Sequence, residues 1–156
     1  VSRTKYWDYV KTAPFPKLSV VQDLSPQPLG AYFGEVNANI HLALGSMGVI
    51  TNGTVRDIVE VRNTAFCMFA NSLSVSQGYA QLEDFNRSVT VFGMVVQPGA
   101  LVHADQHGAV VIHNEIASHI AKVAKELEAA EQEMIRLCKS SDFSIAALDK
   151  LISPAY

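Results

Sequence analysis

Met47-Gly48-Val49-Ile50-Thr51-Asn52-Gly53-Thr54-Val55-Arg56-Asp57 is the stretch that decides the fold. Met47 to Ile50 is a brief apolar run of the kind that forms a short buried strand, and Asn52-Gly53 is expected to close it as a tight turn. Val55 to Arg62 then reads as helical, so strand, turn and helix succeed one another at close quarters. Upstream, Val36, Ile40 and Leu44 repeat every fourth residue, which predicts an amphipathic helix from Glu35 to Leu44 with Gly45 as its stop. Before it, Leu18 to Leu24 is a short β-rich run that passes into a loop at Ser25-Pro26-Gln27-Pro28-Leu29-Gly30. Tyr6, Trp7, Tyr9 and Val10 fit one side of a helix over Lys5 to Val10, ended by Pro14 and Pro16. Downstream, Phe66 to Phe69 and Val89 to Val96 read as strands, and Pro98-Gly99 as a turn before Ala100-Leu101-Val102. Ala109 to Ile112 follows Gly108. The longest helical pattern runs from Asn114, a possible N-cap, to about Leu137, with Ile116, Ile120, Val123 and Leu127 on one face that is expected to pack along the sheet. Strands alternating with helices make this an α/β domain.

Of the 156 residues, 49% are hydrophobic and 17% charged, enough to bury roughly two-thirds of the unfolded chain's surface in one globular domain over residues 1–156. The composition excludes disorder, a collagen-like chain and a disulfide-built miniprotein. A formal charge of −3, without clusters of Lys and Arg, argues against direct nucleic-acid binding. Cys67 and Cys138 match no zinc or redox spacing and are expected to be reduced, packed thiols, which points to the cytoplasm. No apolar run reaches the ~18 residues of a membrane span, and the first residues contain no long apolar signal region, so no membrane partner is expected.

Among residues able to carry chemistry, Arg56-Asp57 places a guanidinium beside a carboxylate just after a strand, where α/β sites form. Arg56 suits a two-bond grip on a substrate carboxylate, and Asp57 suits a hard divalent cation; the competing reading is a surface ion pair at a helix start. Glu35 heads its own helix, where the free N–H groups of Val36 and Asn37 could bind an anion, or where the acid could simply complement the dipole. Glu60, three residues after Asp57, would share its helical face and either extend a carboxylate site or face solvent. His103, Asp105 and His107 alternate as metal ligands on one strand face would, although Gly108 favours hydrogen-bonding turn residues. Glu126, Glu128, Glu131 and Glu133 read as a solvated helix face.

Taken together these motifs resemble the RraA-like family, which comprises the regulator of ribonuclease activity A and the 4-hydroxy-4-methyl-2-oxoglutarate aldolases. Glu35, twenty intervening residues, Arg56-Asp57, two more and Glu60 resemble its acid-X20-Arg-Asp-X2-acid signature. Ala43-Leu44-Gly45 with Gly48-Val49-Ile50-Thr51-Asn52-Gly53, and Val96-Gln97-Pro98-Gly99 through Ala104-Asp105 to Ile112, resemble further family segments, so the likeness runs from about Leu18 to Arg136. Asn52, Ala100 and His113 depart from the usual Asp, Asp and Pro and leave the Arg-Asp core intact. Family members carry a further part before the segment matching Leu18, so the chain is expected to be the C-terminal portion of a longer protein.

The resemblance implies a layered α/β/β fold similar to the swivelling phosphohistidine domain, assembled as a homotrimer or hexamer with sites between subunits. It also implies a lyase acting on small 2-oxo acids through a pyruvate enolate, by aldol cleavage of 4-hydroxy-2-oxo acids or decarboxylation of oxaloacetate, with Mg²⁺ or Mn²⁺ as cofactor. In that scheme Arg56 binds the substrate carboxylate, assisted by the N–H groups of Val36 and Asn37. Asp57 holds the metal, and Glu35 orients the waters around it. Glu60, and Glu131 or Glu133 from a neighbouring subunit's long helix, complete the metal surroundings. The alternative within the family is a non-catalytic regulator that binds a ribonuclease or RNA helicase. An inhibitor has no need of the acid-X20-Arg-Asp-X2-acid set, whose presence favours the enzyme. A methyltransferase is disfavoured because no glycine-rich nucleotide loop follows a first strand.

Overall fold

The computed structural model describes residues 1–152, which form two compact units, residues 1–111 and the segment beginning at Ile112. In the first unit, helix α1 (Arg3–Thr12) leads into strand β1 (Lys17–Val21), helix α2 (Glu35–Ala43), strand β2 (Ser46–Val55) and helix α3 (Ile58–Arg62). Strands β3 (Cys67–Leu73), β4 (Val89–Val91), β5 (Met94–Val96), β6 (Leu101–Asp105) and β7 (Gly108–Ile112) follow. β1, β2 and β3 form a parallel sheet with β2 in the centre. A parallel strand buried between neighbours reads as a near-continuous apolar run, and Val49, Ile50 and Val55 of β2 are accordingly buried. The arrangement is α/β, as the alternating pattern predicts.

Three elements differ from the sequence expectation. Asn52-Gly53 is no turn, because β2 runs through it. Asn-Gly makes a tight turn where an antiparallel partner strand follows, whereas both neighbours here are parallel. The Asn52 side chain instead bridges to Asp23, its Nδ2 donating to the Asp23 carbonyl at 2.9 Å and its Oδ1 accepting from the Asp23 N–H at 2.7 Å. The helix expected over Val55 to Arg62 begins only at Ile58. Val89 to Val96 is two strands rather than one, folded back at Phe92 and Gly93, which both have positive φ (53° and 78°) as a two-residue hairpin requires.

Helix α2 appears where predicted and stops as predicted: Gly45 sits at φ 82°, and its N–H donates to the Leu42 carbonyl at 2.9 Å. Its buried face is a different one, however. Val36 is exposed, while Ala38 and His41 are fully buried. Ala38 joins Phe33, Val49, Val55, Val61 and Phe66 in the core, and the His41 ring packs among those of Tyr6, Phe33 and Phe66. The Nδ1–H of His41 donates to the Asn37 carbonyl at 2.7 Å, so Nε2 accepts from the Tyr6 hydroxyl at 2.9 Å. Burial holds His41 below the usual histidine range, against the opposing pull of the Asn37 carbonyl. Burial likewise raises the Tyr6 hydroxyl to about 12, partly offset by a hydrogen bond from Ser19.

The second unit contains helices α4 (Asn114–Cys138) and α5 (Ile145–Ile152), which contact each other. His113 stands at the N-cap position of α4, one residue before the expected Asn114, and its side chain makes no cap bond. No residue of α4 is buried, and Ile116, Val123 and Leu127 of its apolar stripe are 48–51% exposed. Cys67 and Cys138 are both exposed, contrary to the expectation of packed thiols. Cys67 opens an edge strand, where one side lacks a neighbour. No helix among the described residues is long and apolar enough to cross a membrane.

Candidate functional site

The end of β2 and the start of α2 are tied together by backbone. Phe33 forms a single parallel bridge with Val55, and the Arg56 N–H donates to the Phe33 carbonyl at 3.0 Å. Directly after, Asp57 adopts a left-handed conformation (φ 56°, ψ 43°) as the residue preceding α3. Asp is among the few residues that tolerate this region, and the conformation turns its carboxylate back towards α2. Asp57 Oδ2 accepts from the Glu35 N–H at 3.0 Å and lies 3.7 Å from Arg56 Nε. The carboxylate therefore satisfies one free donor of the first turn of α2 and complements its dipole.

The glycine at position 34 makes this approach possible. Its backbone is extended (φ −152°), so conformation alone does not demand glycine. Space does: a Cβ there would stand 2.9 Å from Arg56 Cγ and closer still to Asp57 Oδ2. The first bond within α2 runs from the Ala38 N–H to the Gly34 carbonyl at 2.9 Å, which leaves the N–H groups of Val36 and Asn37 without an acceptor inside the helix. Gly34, Val36, Asn37 and Arg56 line a cleft of about 240 Å³, together with Arg3, Trp7, Ala31, Tyr32, Ile40, Gln77 and Gly78.

Residues 3–111 match the family described as RraA-like, Aldolase/RraA. The chain belongs to the RraA-like family. The match ends where the first compact unit ends. Among relatives of this RraA-like chain, the uncharacterized protein MJ0644 of Methanocaldococcus jannaschii is 31% identical over 91 residues, covering 58% of this chain and 44% of that protein. A putative 4-hydroxy-4-methyl-2-oxoglutarate aldolase of Halalkalibacterium halodurans is 23% identical over 138 residues, covering 87% of this chain and 66% of that one. The solved structure of Streptomyces coelicolor RraAS2, an unusual member of the RNase ES inhibitor RraA protein family, superposes with a TM-score of 0.67 at 23% identity, over 81% of this chain and 65% of that one. The chain thus spans less than half of MJ0644 and under two-thirds of RraAS2, and the family holds both aldolases and ribonuclease inhibitors.

Of the residues singled out in the RraA-like sequence, the structure brings Glu35, Val36, Asn37, Arg56 and Asp57 to one place. Glu60 is exposed on α3 and does not line the cleft. Asp57 precedes that helix in a left-handed conformation, so the two acids do not share the helical face expected of them. Glu131 and Glu133 are exposed on α4, in the second unit. Among the described residues no three His, Cys, Asp or Glu converge as a metal cage. Asp57 uses only Oδ2 in its contacts, leaving Oδ1 for another partner. One hard oxygen completed by waters suits Mg²⁺, which keeps much of its hydration and takes one or two carboxylates; the residues fit that mode and no closed cage.

His103, Asp105 and His107 form the hydrogen-bonded turn of the β6–β7 pair. The His107 N–H donates to Asp105 Oδ1 at 2.8 Å, and Asp105 Oδ2 lies 3.3 Å from His107 Nδ1 and 3.8 Å from His103 Nε2. The His107 backbone bond holds the Asp105 carboxyl below its ordinary range. Reasoning from sequence missed Arg3, Trp7, Tyr32 and Gln77 as walls of the cleft. The one available signal was Arg3 itself, a cation at the start of a helix whose first turn contains no acid.

Proposed function

We propose that the chain is a divalent-metal-dependent lyase that breaks a carbon–carbon bond in small 2-oxo acids. The observation that carries this reading is the Glu35 N–H to Asp57 Oδ2 bond at 3.0 Å, which fixes a carboxylate beside the Arg56 guanidinium at the rim of the cleft. Arg56 binds the substrate carboxylate, since its Nη groups are not used in the contact that Nε makes with Asp57, and the Val36 and Asn37 N–H groups add two donors to the same anion. Asp57, through Oδ1, is the residue that would hold Mg²⁺ or Mn²⁺, whose positive charge would stabilise the enolate left when carbon dioxide or an aldol fragment departs. The Glu35 side chain, exposed at the first turn of α2, would orient water there and take part in proton transfer. No lysine lines the cleft, so a Schiff base has no residue to form on.

Further acids come from outside this set. Glu131 or Glu133 of a second copy fits that role in a homotrimer or hexamer, an assembly that would also cover the exposed apolar stripe of α4. The regulatory reading draws on RraAS2, which at 23% identity lends the fold alone. The experiment is oxaloacetate decarboxylation, with cleavage of a 4-hydroxy-2-oxo acid in parallel, measured with Mg²⁺ and after chelation by EDTA. Turnover that requires the metal is expected; equal rates after thorough chelation would sink the metal role, and no turnover of either acid would leave the regulatory reading ahead.

A further inference from the structure

The Glu35 N–H that holds Asp57 is the last donor of a longer row. Its peptide unit includes the Gly34 carbonyl, which accepts from the Ala38 N–H at 2.9 Å. The peptide unit of that N–H includes the Asn37 carbonyl, which accepts from His41 Nδ1–H at 2.7 Å. On the other side of the ring, Nε2 accepts from the Tyr6 hydroxyl at 2.9 Å, and Ser19 of β1 donates to that hydroxyl in turn. From Tyr6 to Asp57 Oδ2, which the Glu35 N–H meets at 3.0 Å, every group donates in the same direction.

Peptide units linked from residue i to i−4 run through any helix; what distinguishes this row is its two ends. One is the fully buried His41 ring, which burial keeps neutral, and the other is a carboxylate. The Asn37 carbonyl lies inside α2, where the main chain supplies it with a donor, so the ring N–H is an additional one. Hydrogen bonds aligned head to tail in a medium of low dielectric polarise one another, each gaining roughly 10–30% in strength. The ring also packs on Phe33, with centroids 4.9 Å apart, and the Phe33 carbonyl accepts from the Arg56 N–H at 3.0 Å. His41 thus stands behind both members of the Arg56-Asp57 pair, yet it does not line the cleft.

We propose that His41 is a positioning residue for Asp57, acting through the Asn37–Ala38 and Gly34–Glu35 peptide units to strengthen the Glu35 N–H bond that fixes the carboxylate. Its consequence for metal binding rests on the reading of Asp57 as the Mg²⁺ or Mn²⁺ holder, so the test includes a readout that needs no metal. That readout is the amide proton shift of Glu35 in metal-free, ¹⁵N-labelled protein, which reports the strength of the bond. In His41→Gln the side-chain amide reaches the place of Nε2 and can still meet Tyr6, but nothing replaces Nδ1–H, and the Glu35 resonance should move upfield. In His41→Asn the amide nitrogen takes the place of Nδ1 and keeps a donor on the Asn37 carbonyl. Its Glu35 resonance should stay near the wild-type position, although both variants lose stability at a buried site. Tyr6→Phe, which keeps the ring and removes the first donor, should give a smaller upfield shift. Loss of a partner that touches a metal ligand typically costs about 10–100-fold in affinity. Acting at one remove, His41→Gln should bind Mn²⁺ about three- to ten-fold more weakly than wild type, and His41→Asn within about two-fold of it. An unmoved Glu35 amide in His41→Gln overturns the proposal, as do equal shifts in the Gln and Asn variants, which would make His41 a packing residue only. A wild type that binds no Mn²⁺ would end the metal reading of Asp57 instead, with the amide shifts still deciding for or against the row.

Discussion

Replacing Gly34 by alanine tests the geometry on which the site depends. The added methyl would sit 2.9 Å from Arg56 Cγ and 3.1 Å from Arg56 Nε, and nearer still to Asp57 Oδ2. An ordinary carbon contact is about 3.5–4.0 Å, so the Asp57 carboxylate must retreat by the better part of an ångström. That breaks its bond to the Glu35 N–H, now 3.0 Å. A hydrogen bond to a charged group contributes about 1.5–3 kcal/mol, and alanine is also a poorer N-cap residue than glycine. The expected loss is about 2 kcal/mol, or ~4–8 °C in melting temperature for a chain of this size. In the lyase assay, moving Asp57 and crowding Arg56 should reduce kcat/KM by about ten- to a hundred-fold and raise the Mg²⁺ concentration needed for half-maximal rate.

A double-mutant cycle with Asp57→Gly isolates the contact. Glycine accepts the left-handed conformation of position 57 without penalty and removes the carboxylate that the methyl would strike. Gly34→Ala should therefore cost less stability in the Asp57→Gly background than in the wild type, with a coupling of about 0.5–3 kcal/mol between the two sites. Equal melting losses in both backgrounds would refute the claim that Gly34 is there to admit the Asp57 carboxylate. A Gly34→Ala protein with wild-type kcat/KM and Mg²⁺ dependence would show that catalysis does not need the carboxylate where the structure places it.

Other expectations can be checked with the same assays. Arg56→Lys keeps the charge but loses the planar fork, so kcat/KM should fall about ten- to several-hundred-fold with the melting temperature unchanged; a wild-type rate would make Arg56 a surface residue. Asp57→Asn should lower metal affinity and be partly rescued at high Mg²⁺, and a variant indifferent to Mg²⁺ concentration would remove Asp57 from the metal. His41 is held below its ordinary pKa by burial, so the unfolded chain binds more protons than the folded one once pH drops below about 6.5. Its contribution is complete above that value and lost as pH falls, at up to about 1.4 kcal/mol per pH unit. Melting curves between pH 7 and 5 should accordingly slope less for His41→Gln than for wild type; identical slopes would contradict it.

The α/β character, helices α1 and α2 and the stop at Gly45 were legible because each depends on local chemistry: aromatic spacing, helix periodicity and a left-handed residue. What was not legible depends on partners. Asn52-Gly53 is a turn signal only if the next strand comes back antiparallel, and the sequence around it does not say that β1 and β3 flank β2 in parallel. The buried face of α2 was misread for a related reason. Val36, Ile40 and Leu44 are the more hydrophobic residues, yet the core takes Ala38 and His41. A small residue lets the helix approach the sheet closely, and the histidine satisfies both ring nitrogens through Asn37 and Tyr6. No hydropathy scale registers such a pairing.

The site shows the same division more sharply. Arg56-Asp57 and Glu35 could be singled out by residue type, but their relation runs through main chain. The Glu35 feature that meets Asp57 is its N–H, not its carboxylate, and Asp57 reaches it from a left-handed backbone outside α3. Motif spacing could not separate that arrangement from two acids sharing a helix face, because both place an acid three residues before Glu60. The φ of Asp57 is what decides between them. A backbone turned back at position 57 brings its carboxylate to the first turn of α2, against the Glu35 N–H and beside the Arg56 guanidinium, which no residue spacing records.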